Sequence, residues 1–384
     1  GKSQIDRLII IAKKLKNLNM SISPQSFNPA TLKALKRKNL GETNLSRVYD
    51  KFKENNIPTH AAIICPLPEE TRESYIEGLR SLSESEVNNP LAYTTMMLKG
   101  TDLAAKATRK KYNMKTKYRL LPRQFSIVDG RRVFEFDEVC IETNTMTYEE
   151  YIECRGASFL FLALSVDQFD YLRRICEEIE VKWFDLFLKI WDKIGKDKGP
   201  SGDTYKQFIQ ASHDEVFASE EAIQEFINID ENFNKLIDGT YGENVMRNFV
   251  PKLSINYFKE FCKLSIEAIR EIKPGLEWLN SVEIWVQNVR DVYPLFLNES
   301  NSSKPIILEM NYDIDAWLNN KEKKSISNYK IPTKSSLVTD HKEINNIVSA
   351  MTRMYGSDPM RWLSRVIEVK PLKDIWKKNR TRFL

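Results

Sequence analysis

Three short stretches of this chain place hydroxyls, amides, prolines or a glycine where an apolar run stops. They are Ser23-Pro24-Gln25-Ser26, Cys65-Pro66-Leu67-Pro68-Glu69-Glu70-Thr71 and Leu98-Lys99-Gly100-Thr101. At the carboxyl end of a parallel strand, such residues let backbone approach a ligand or set a rigid turn beside it, and α/β sheets bind ligands at that end. Gln25 and Ser26 can hydrogen-bond a ribose or a carboxylate. Ile63 and Ile64 can lie against a flat ring, and Gly100 permits close backbone approach. Each stretch alone is also an ordinary loop, since prolines often follow strands and Ser or Gln there satisfies backbone groups. The functional expectation depends on all three ends sharing one rim.

Other chemistries find less support. The five cysteines, Cys65, Cys140, Cys154, Cys176 and Cys262, form no CxxC or CxxxCxxC, and His60, His213 and His341 are isolated. Spacing therefore assembles no metal site. Glu69 and Glu70 open a helix, where carboxylates suit the dipole better than they suggest a general base. Trp183, Phe184, Phe187 and Trp191 recur at helical spacing and read as core.

The elements that must position the three stretches alternate over the first hundred residues. Ser3 reads as a helix cap with Asp6 at the capping-box position, and Leu8, Ile9, Ala12 and Leu15 as the apolar stripe. "NMSIS" is a short strand. Asn28 is an N-cap with Pro29 at the first helical position, Leu32 and Leu35 face inward, Lys36, Arg37 and Lys38 suit the helix C-terminus, and Gly41 ends it. A second helix spans about 44–55. "THAAIICPLP" has no polar face over Ala61 to Cys65, as in a strand buried on both sides. A helix over 71–82 and a strand over 91–98 complete a βαβ pattern, hence a parallel sheet with right-handed crossovers.

From 116 to 145 two extended segments meet at Asp129-Gly130, a hairpin signal. The rest reads as mainly helical. Thr147 and Glu150 form a capping box before one long apolar helix running through "YIECRGASFLFLALSVDQFDYLRRICEEI". Residues 195–203 read as a surface loop, and 220–226, 256–272, 276–292 and 341–355 as further helices. "KPIILEMNYDIDAWL" reads as one or two strands. No internal repeat or low-complexity tract is present.

The 384 residues, 42% hydrophobic and 29% charged, suit a soluble chain of two or three domains. A formal net charge of +5 is too small and dispersed to argue for nucleic acid. No apolar run approaches the ~20 residues of a membrane span. No signal peptide is visible, and the unpaired cysteines fit free thiols in a reducing cytoplasm. The chain opens on Gly1 rather than Met, which leads us to expect a sequence incomplete at its N-terminus.

The strings "SPQSFNPATLKALKRKNL", "IPTHAAIICPLPEETRESYIEGL" and "TTMMLKGTDL", in that order, resemble the back half of a radical S-adenosylmethionine domain, of the group that carries an N-terminal cobalamin-binding domain. There the fourth barrel strand ends in Gln-Ser, followed by a helix ending Lys-Arg-x-Asn. The matching residues are Gln25, Ser26, Lys36, Arg37 and Asn39. The fifth strand ends in Gly-Leu-Pro-Gly-Glu-Thr, and both glycines are replaced in Cys65-Pro66-Leu67-Pro68-Glu69-Glu70-Thr71. Lys99-Gly100-Thr101 stands for the Pro-Gly-Thr-like turn after the sixth. "YRLLPRQFSIVDGRRVFEFDEV" and "TNTMTYEEYIECRGASFLF" resemble segments that follow the barrel, so the likeness covers about residues 1–164.

The resemblance implies an α/β fold. Residues 1–105 would form the back half of a (β/α) barrel with parallel strands, 106–146 an extended hairpin segment, and 147–384 a mainly helical domain with a short β segment near 304–318. It implies an enzyme that cleaves S-adenosylmethionine (SAM) to a 5'-deoxyadenosyl radical or transfers methyl groups, with a 4Fe-4S cluster and cobalamin. The cluster loop, CxxxCxxC, is absent from this sequence. Cluster and cobalamin ligands are therefore expected upstream of Gly1, the chain alone is expected to be inactive, and its partner is the missing N-terminal half. Ser23, Gln25, Ser26, Ile64, Pro66 and Leu98 are the implied ribose and adenine contacts. Cys65 adds bulk where the family has glycine; it reads as a buried inert thiol rather than a cluster ligand. His60 precedes its strand, at the end away from the site. The alternative is a degenerate half barrel that docks a partner without catalysis. No residue identifies a substrate, and neither nucleic acid nor membrane is expected.

Overall fold

The structure, a computed structural model, describes residues 2–15, 20–21, 23–39, 42–57, 59–85, 89–238, 241–289, 306–331, 335–339, 352–354 and 379–383. The chain begins α1 (Lys2–Lys14), β1 (Met20–Ser21), α2 (Pro29–Ala34), α3 (Glu42–Glu54), β2 (Thr59–Cys65), α4 (Arg72–Glu84), β3 (Asn89–Thr94) and α5 (Lys106–Lys111). A hairpin follows, β4 (Lys115–Val128) and β5 (Arg131–Glu142), and then a run of helices: α6 (Tyr148–Leu164), α7 (Asp170–Ile179), α8 (Trp183–Lys196), α9 (Pro200–Asp214), α10 (Glu220–Asn228), α11 (Asp230–Ile237), α12 (Val245–Pro251), α13 (Phe258–Ile272) and α14 (Leu279–Val289). The last described elements are β6 (Ile306–Leu308), α15 (Ile314–Asn319), β7 (Ser335–Thr339) and β8 (Asn379–Phe383).

The fold is mixed α/β. β1, β2 and β3 form a parallel sheet in that order, with Met20 opposite Thr59 and Cys65 opposite Thr94. Local signals set several boundaries. The Asn28 side chain accepts from Ala30 N at 2.9 Å and Pro29 opens α2, where its missing N–H costs nothing. Thr71 caps α4 by accepting from Ser74 N at 3.1 Å. Thr147 and Glu150 form the capping box of α6, with Thr147 N donating to Glu150 Oε2 at 2.8 Å and Glu150 N to Thr147 Oγ1 at 3.3 Å.

The chain divides into two compact units, residues 1–162 with 207–246, and residues 163–206 with 247–384. In the first, Ile9, Ala12, Val48, Phe52 and Ile57 form a core between α1, α3 and the approach to β2. Burying a side chain such as Phe52 completely contributes about 2–3 kcal/mol. The hairpin turns at Asp129-Gly130, with Val128 opposite Arg131. Its register shifts between Leu120 and Phe125, around Pro122, a residue with no N–H for the ladder. α10 and α11 cover one hairpin face, packing Ile223, Ile227, Phe233 and Leu236 on Tyr118, Phe134 and Phe136.

The second unit is helical with a small sheet, β6-β7-β8, antiparallel throughout. Phe169 packs edge-on to Phe261 at 5.3 Å between ring centroids and tilts against Phe258 at 5.6 Å. Phe184 and Phe187 are fully buried, as helical spacing predicts. Across α8 and α13, Lys189 and Lys193 both reach Glu271, at 2.7 and 2.6 Å.

Several expectations are corrected. α1 starts at Lys2, so Ser3 lies inside it rather than capping it. Of the expected stripe only Ile9 and Ala12 are buried; Leu8 and Leu15 are exposed. The long helix breaks after Leu164 into α6, a single 3₁₀ turn at Asp167–Phe169, and α7. Residues 195–203 are mostly helical: Pro200 begins α9, and the Asp197 carboxylate accepts from Gly199 N at 3.1 Å and Gly202 N at 2.8 Å. "DIDAWL" is helical, because Asp313 caps α15 by accepting from Ala316 N at 3.0 Å. Gly41 and most of the helix expected over 341–355 lie outside the described residues. Among the described residues no helix is long and apolar enough to cross a membrane.

Candidate functional site

Because β1, β2 and β3 run parallel, their carboxyl ends share one edge of the sheet. Gln25 extends the β1 side of the ladder: its N–H donates to Ala62 O at 3.1 Å, and Ile64 N donates to Gln25 O at 2.8 Å. Gln25 holds φ 65°, a left-handed conformation that a non-glycine residue adopts only when its surroundings impose it. Ser23 and Gln25 are half-buried and flank buried Pro24.

Behind Gln25 lies a buried carboxylate, Glu70, which the sequence reading set at a helix start; α4 begins only at Arg72, after its cap Thr71, and the role of Glu70 as an acceptor was missed. Glu70 is 1% exposed and accepts from Ser26 Oγ and, at 2.5 Å, from Ser74 Oγ. Burial pushes its carboxyl above the ordinary value, against the opposing pull of the hydrogen bonds from Ser26 and Ser74. The same knot takes in Asn28, whose Nδ2 donates to Glu69 O at 2.9 Å, and Asn39, whose Nδ2 donates to Ser26 O at 2.7 Å. Ser26, 3% exposed, is thus a strut between the first and second strand ends. Its hydroxyl also accepts from Asn28 N at 3.0 Å.

The second strand end turns at Pro66, which is buried and follows a cis peptide bond. Pro66 O accepts from Thr95 Oγ1 at 2.5 Å, and Cys65 O from Thr95 N at 3.1 Å, which fastens it to the third strand end. Cys65 is buried, its sulfur 3.4 Å from Met146 Sδ, and burial pushes its thiol well above the ordinary value. Past β3, Met97 N donates to Glu138 O at 2.8 Å, joining this edge to the hairpin. The next turn is closed by Thr101 N to Leu98 O at 3.2 Å, with Gly100 at φ 85°.

One face of this edge is apolar and open. Ile64 is half-buried beside its register partner Tyr93, which is 53% exposed, and Met96 and Leu98 are 42% and 53% exposed. Ile63 points the other way, is 1% exposed, and is covered by α4 where Gly78 comes close. Of the two isoleucines only Ile64 is left to meet a ring.

Arg155 is the second residue that sequence reasoning missed. It is 6% exposed on α6, donates from Nη1 to Thr94 Oγ1 at 2.9 Å at the last position of β3, and is ion-paired with Glu215. Burial, the largest single influence, lowers the pKa of its guanidinium, but the Glu215 carboxylate together with Tyr151 and Tyr75 outweighs it, so the net shift is upward. Tyr151 OH lies 3.1 Å from the same Thr94 hydroxyl. An arginine inside an apolar helix was the available signal, because a buried guanidinium requires a partner.

The three strand ends therefore make one edge of hydrogen-bonding and apolar groups, at the end of a parallel sheet where α/β folds commonly bind ligands. No protein-family model matches the chain. Two curated proteins are similar to part of it. One is the cobalamin-dependent radical SAM methyltransferase TokK of Streptomyces tokunonensis, 28% identical over 169 residues, which is 42% of this chain and 24% of that protein. The other is the 2-(S-pantetheinyl)-carbapenam-3-carboxylate methyltransferase of Streptantibioticus cattleyicolor, 26% identical over 162 residues, 41% of this chain and 24% of that protein. These matches support a radical SAM relationship for about two fifths of the chain, which spans about a quarter of the length of each relative.

The described residues do not fit a metal or cluster. No group of three or more His, Cys, Asp or Glu among them is placed to hold one, and all five cysteines are buried and free. At the strand-end edge Gln25 carries an amide, and Ile64 and Leu98 leave partly open apolar surface.

Proposed function

We propose that this chain is the later part of a cobalamin-dependent radical SAM methyltransferase, a partial (β/α) barrel whose strand-end edge binds the nucleoside of SAM. One observation carries the reading. Gln25, Ile64 and the stretch leading from Thr95 to Leu98, far apart in sequence, are held at one edge by direct backbone hydrogen bonds. The similarity to the two methyltransferases supports it.

In this reading the Gln25 amide meets the ribose, Ile64 and Leu98 flank the adenine, and Ser23 and Pro66 shape the rim. Ser26 acts through Glu70, by holding Gln25 in place, rather than by touching the ligand. The 4Fe-4S cluster and cobalamin belong to residues outside these 384, in the N-terminal part of the same protein, and the whole works in a reducing cytoplasm. Radical generation and methyl carriage are the chemistry those groups supply.

The test is calorimetric titration of the chain with SAM, beside Gln25→Ala and Ile64→Ala. A hydrogen bond or a buried apolar contact is worth about 1–2 kcal/mol, so each substitution should weaken binding roughly 5- to 30-fold. Binding that both substitutions leave unchanged, or no binding at all, would overturn the reading. A second reading, a half barrel that docks a partner without catalysis, is favoured by Cys65, which fills with a buried thiol the place where the family has glycine.

A further inference from the structure

Residues 29–39 contain four basic side chains and no acidic one, and residues 98–117 contain seven basic side chains and only Asp102 on the acidic side. Together that is a net of +10 in a chain whose total is +5, so the remainder is net negative. The structure brings the two segments together. Lys36 Nζ lies 3.6 Å from Asp102 Oδ2, with both side chains almost fully exposed. Ala34 of α2 packs with Leu103 and Ala104 on the core made by Met97, Tyr112, Met114 and Cys140. The positive excess that looks dispersed along the sequence is concentrated on one surface, beside the loop that follows Leu98.

Part of this charge is used internally: Arg109 is bidentate on Glu138, Lys115 pairs with Glu142, and the Lys117 ammonium sits 4.9 Å from the Tyr148 ring centre. The other eight basic residues of the two segments are exposed, Lys36 and Lys111 among them despite their contacts with Asp102 and the Tyr112 ring. Seven of those eight are lysines, point charges on flexible stems, strung along two short helices and their turns.

We propose that this surface docks an acidic protein. All eight cations are exposed, so none is a buried donor of the kind that anchors a single small anion. Stacking platforms of the kind that hold single-stranded nucleic acid are also missing from the two segments: their aromatic residue, Tyr112, is 6% exposed, with Lys111 Nζ 4.7 Å from the ring centre. Dispersed lysine charge suits an extended acidic face instead, where it speeds encounter and sets orientation. The proposal does not depend on nucleoside binding at the strand ends.

The experiment is fluorescence anisotropy of a labelled polyglutamate peptide of about twenty residues titrated with the chain. A single-stranded RNA of about twenty nucleotides and inorganic phosphate serve as competitors. We expect peptide binding to weaken at least about tenfold between about 50 and about 300 mM salt. Lys106→Glu/Lys110→Glu/Lys111→Glu should weaken it by roughly tenfold more, and so should Lys36→Glu/Arg37→Glu/Lys38→Glu. Lys182→Glu/Lys321→Glu/Lys330→Glu, equal in charge change, should not. Unfolding midpoints guard against loss of fold, and having two separate reversal sets keeps one usable if the other unfolds. Equal losses from all three sets would overturn the proposal, as would binding that no set changes, or tighter capture of RNA or phosphate than of the peptide.

Discussion

Glu70 carries the most consequence for a single side chain. It gathers the hydroxyls of Ser26 and Ser74 in a place where water does not reach, and its pKa lies above the usual carboxyl range. An acid with a raised folded-state pKa contributes stability that is fully present below its unfolded value and is lost as pH rises through the folded one. Glu70→Gln removes that dependence. Relative to Glu70→Gln, the natural chain should therefore lose stability as pH rises from the ordinary carboxyl range through the raised folded-state value, as measured by urea unfolding at each pH. Glu70→Ala, which leaves the buried Ser26 hydroxyl without its acceptor while Ser74 Oγ keeps Thr71 O at 3.1 Å, should cost about 1–3 kcal/mol throughout. A gap between chain and Gln variant that does not change with pH would remove Glu70 as the source. Ser26 and its acceptor are 44 positions apart, which is why Ser26 looked like a ligand contact in the sequence: its hydroxyl was visible, its partner was not.

At the level of elements, local signals were legible and distant ones were not. Asn28-Pro29, Asp129-Gly130 and the Thr147–Glu150 pair each act within a few residues, and each marks the boundary it suggests. The break after Leu164 had no such mark, because the apolar sequence runs on into Val166 and Phe169, both buried on their own account. The loop expected over 195–203 was misread because its glycines and proline suit a helix start as well as a turn. Two of those glycines give a sharp comparison. A Cβ on Gly202 would sit 2.2 Å from Asp197 O, whereas one on Gly195, exposed near the end of α8, meets nothing within 4 Å. Gly195→Ala should stabilise the chain by up to about 1 kcal/mol, since alanine loses less backbone freedom in a helix. Gly202→Ala should destabilise it by about 1–3 kcal/mol, since backbone must move. Thermal melts that move in the same direction would contradict this account of α9.

For the whole molecule, the parallel order of the first three strands was legible in the sequence, and so was the shared edge of their ends. The folding of charge onto one surface was not, since that depends on how α2 and the stretch after β3 pack. Apolar exposure is equally uneven. Leu8 and Ile11 of α1 and Leu15 just past its end are 39%, 46% and 54% exposed and share one side at helical spacing, apolar exposure of the kind that drives association. Light scattering should show the chain growing in mass as concentration rises, and Leu8→Lys/Ile11→Lys should suppress the growth without lowering the melting midpoint. A monodisperse monomer at high concentration would refute this.

The interleaved connectivity bears on synthesis. Residues 1–162 belong to the same unit as 207–246, and between them the chain leaves to begin the other. A ribosome therefore cannot release a finished first unit when its first long stretch has emerged. Strands β4 and β5 must wait, one face bare, until α10 and α11 have been translated to cover them, and a chaperone that shields nascent aromatic surface would find its longest-lived target there.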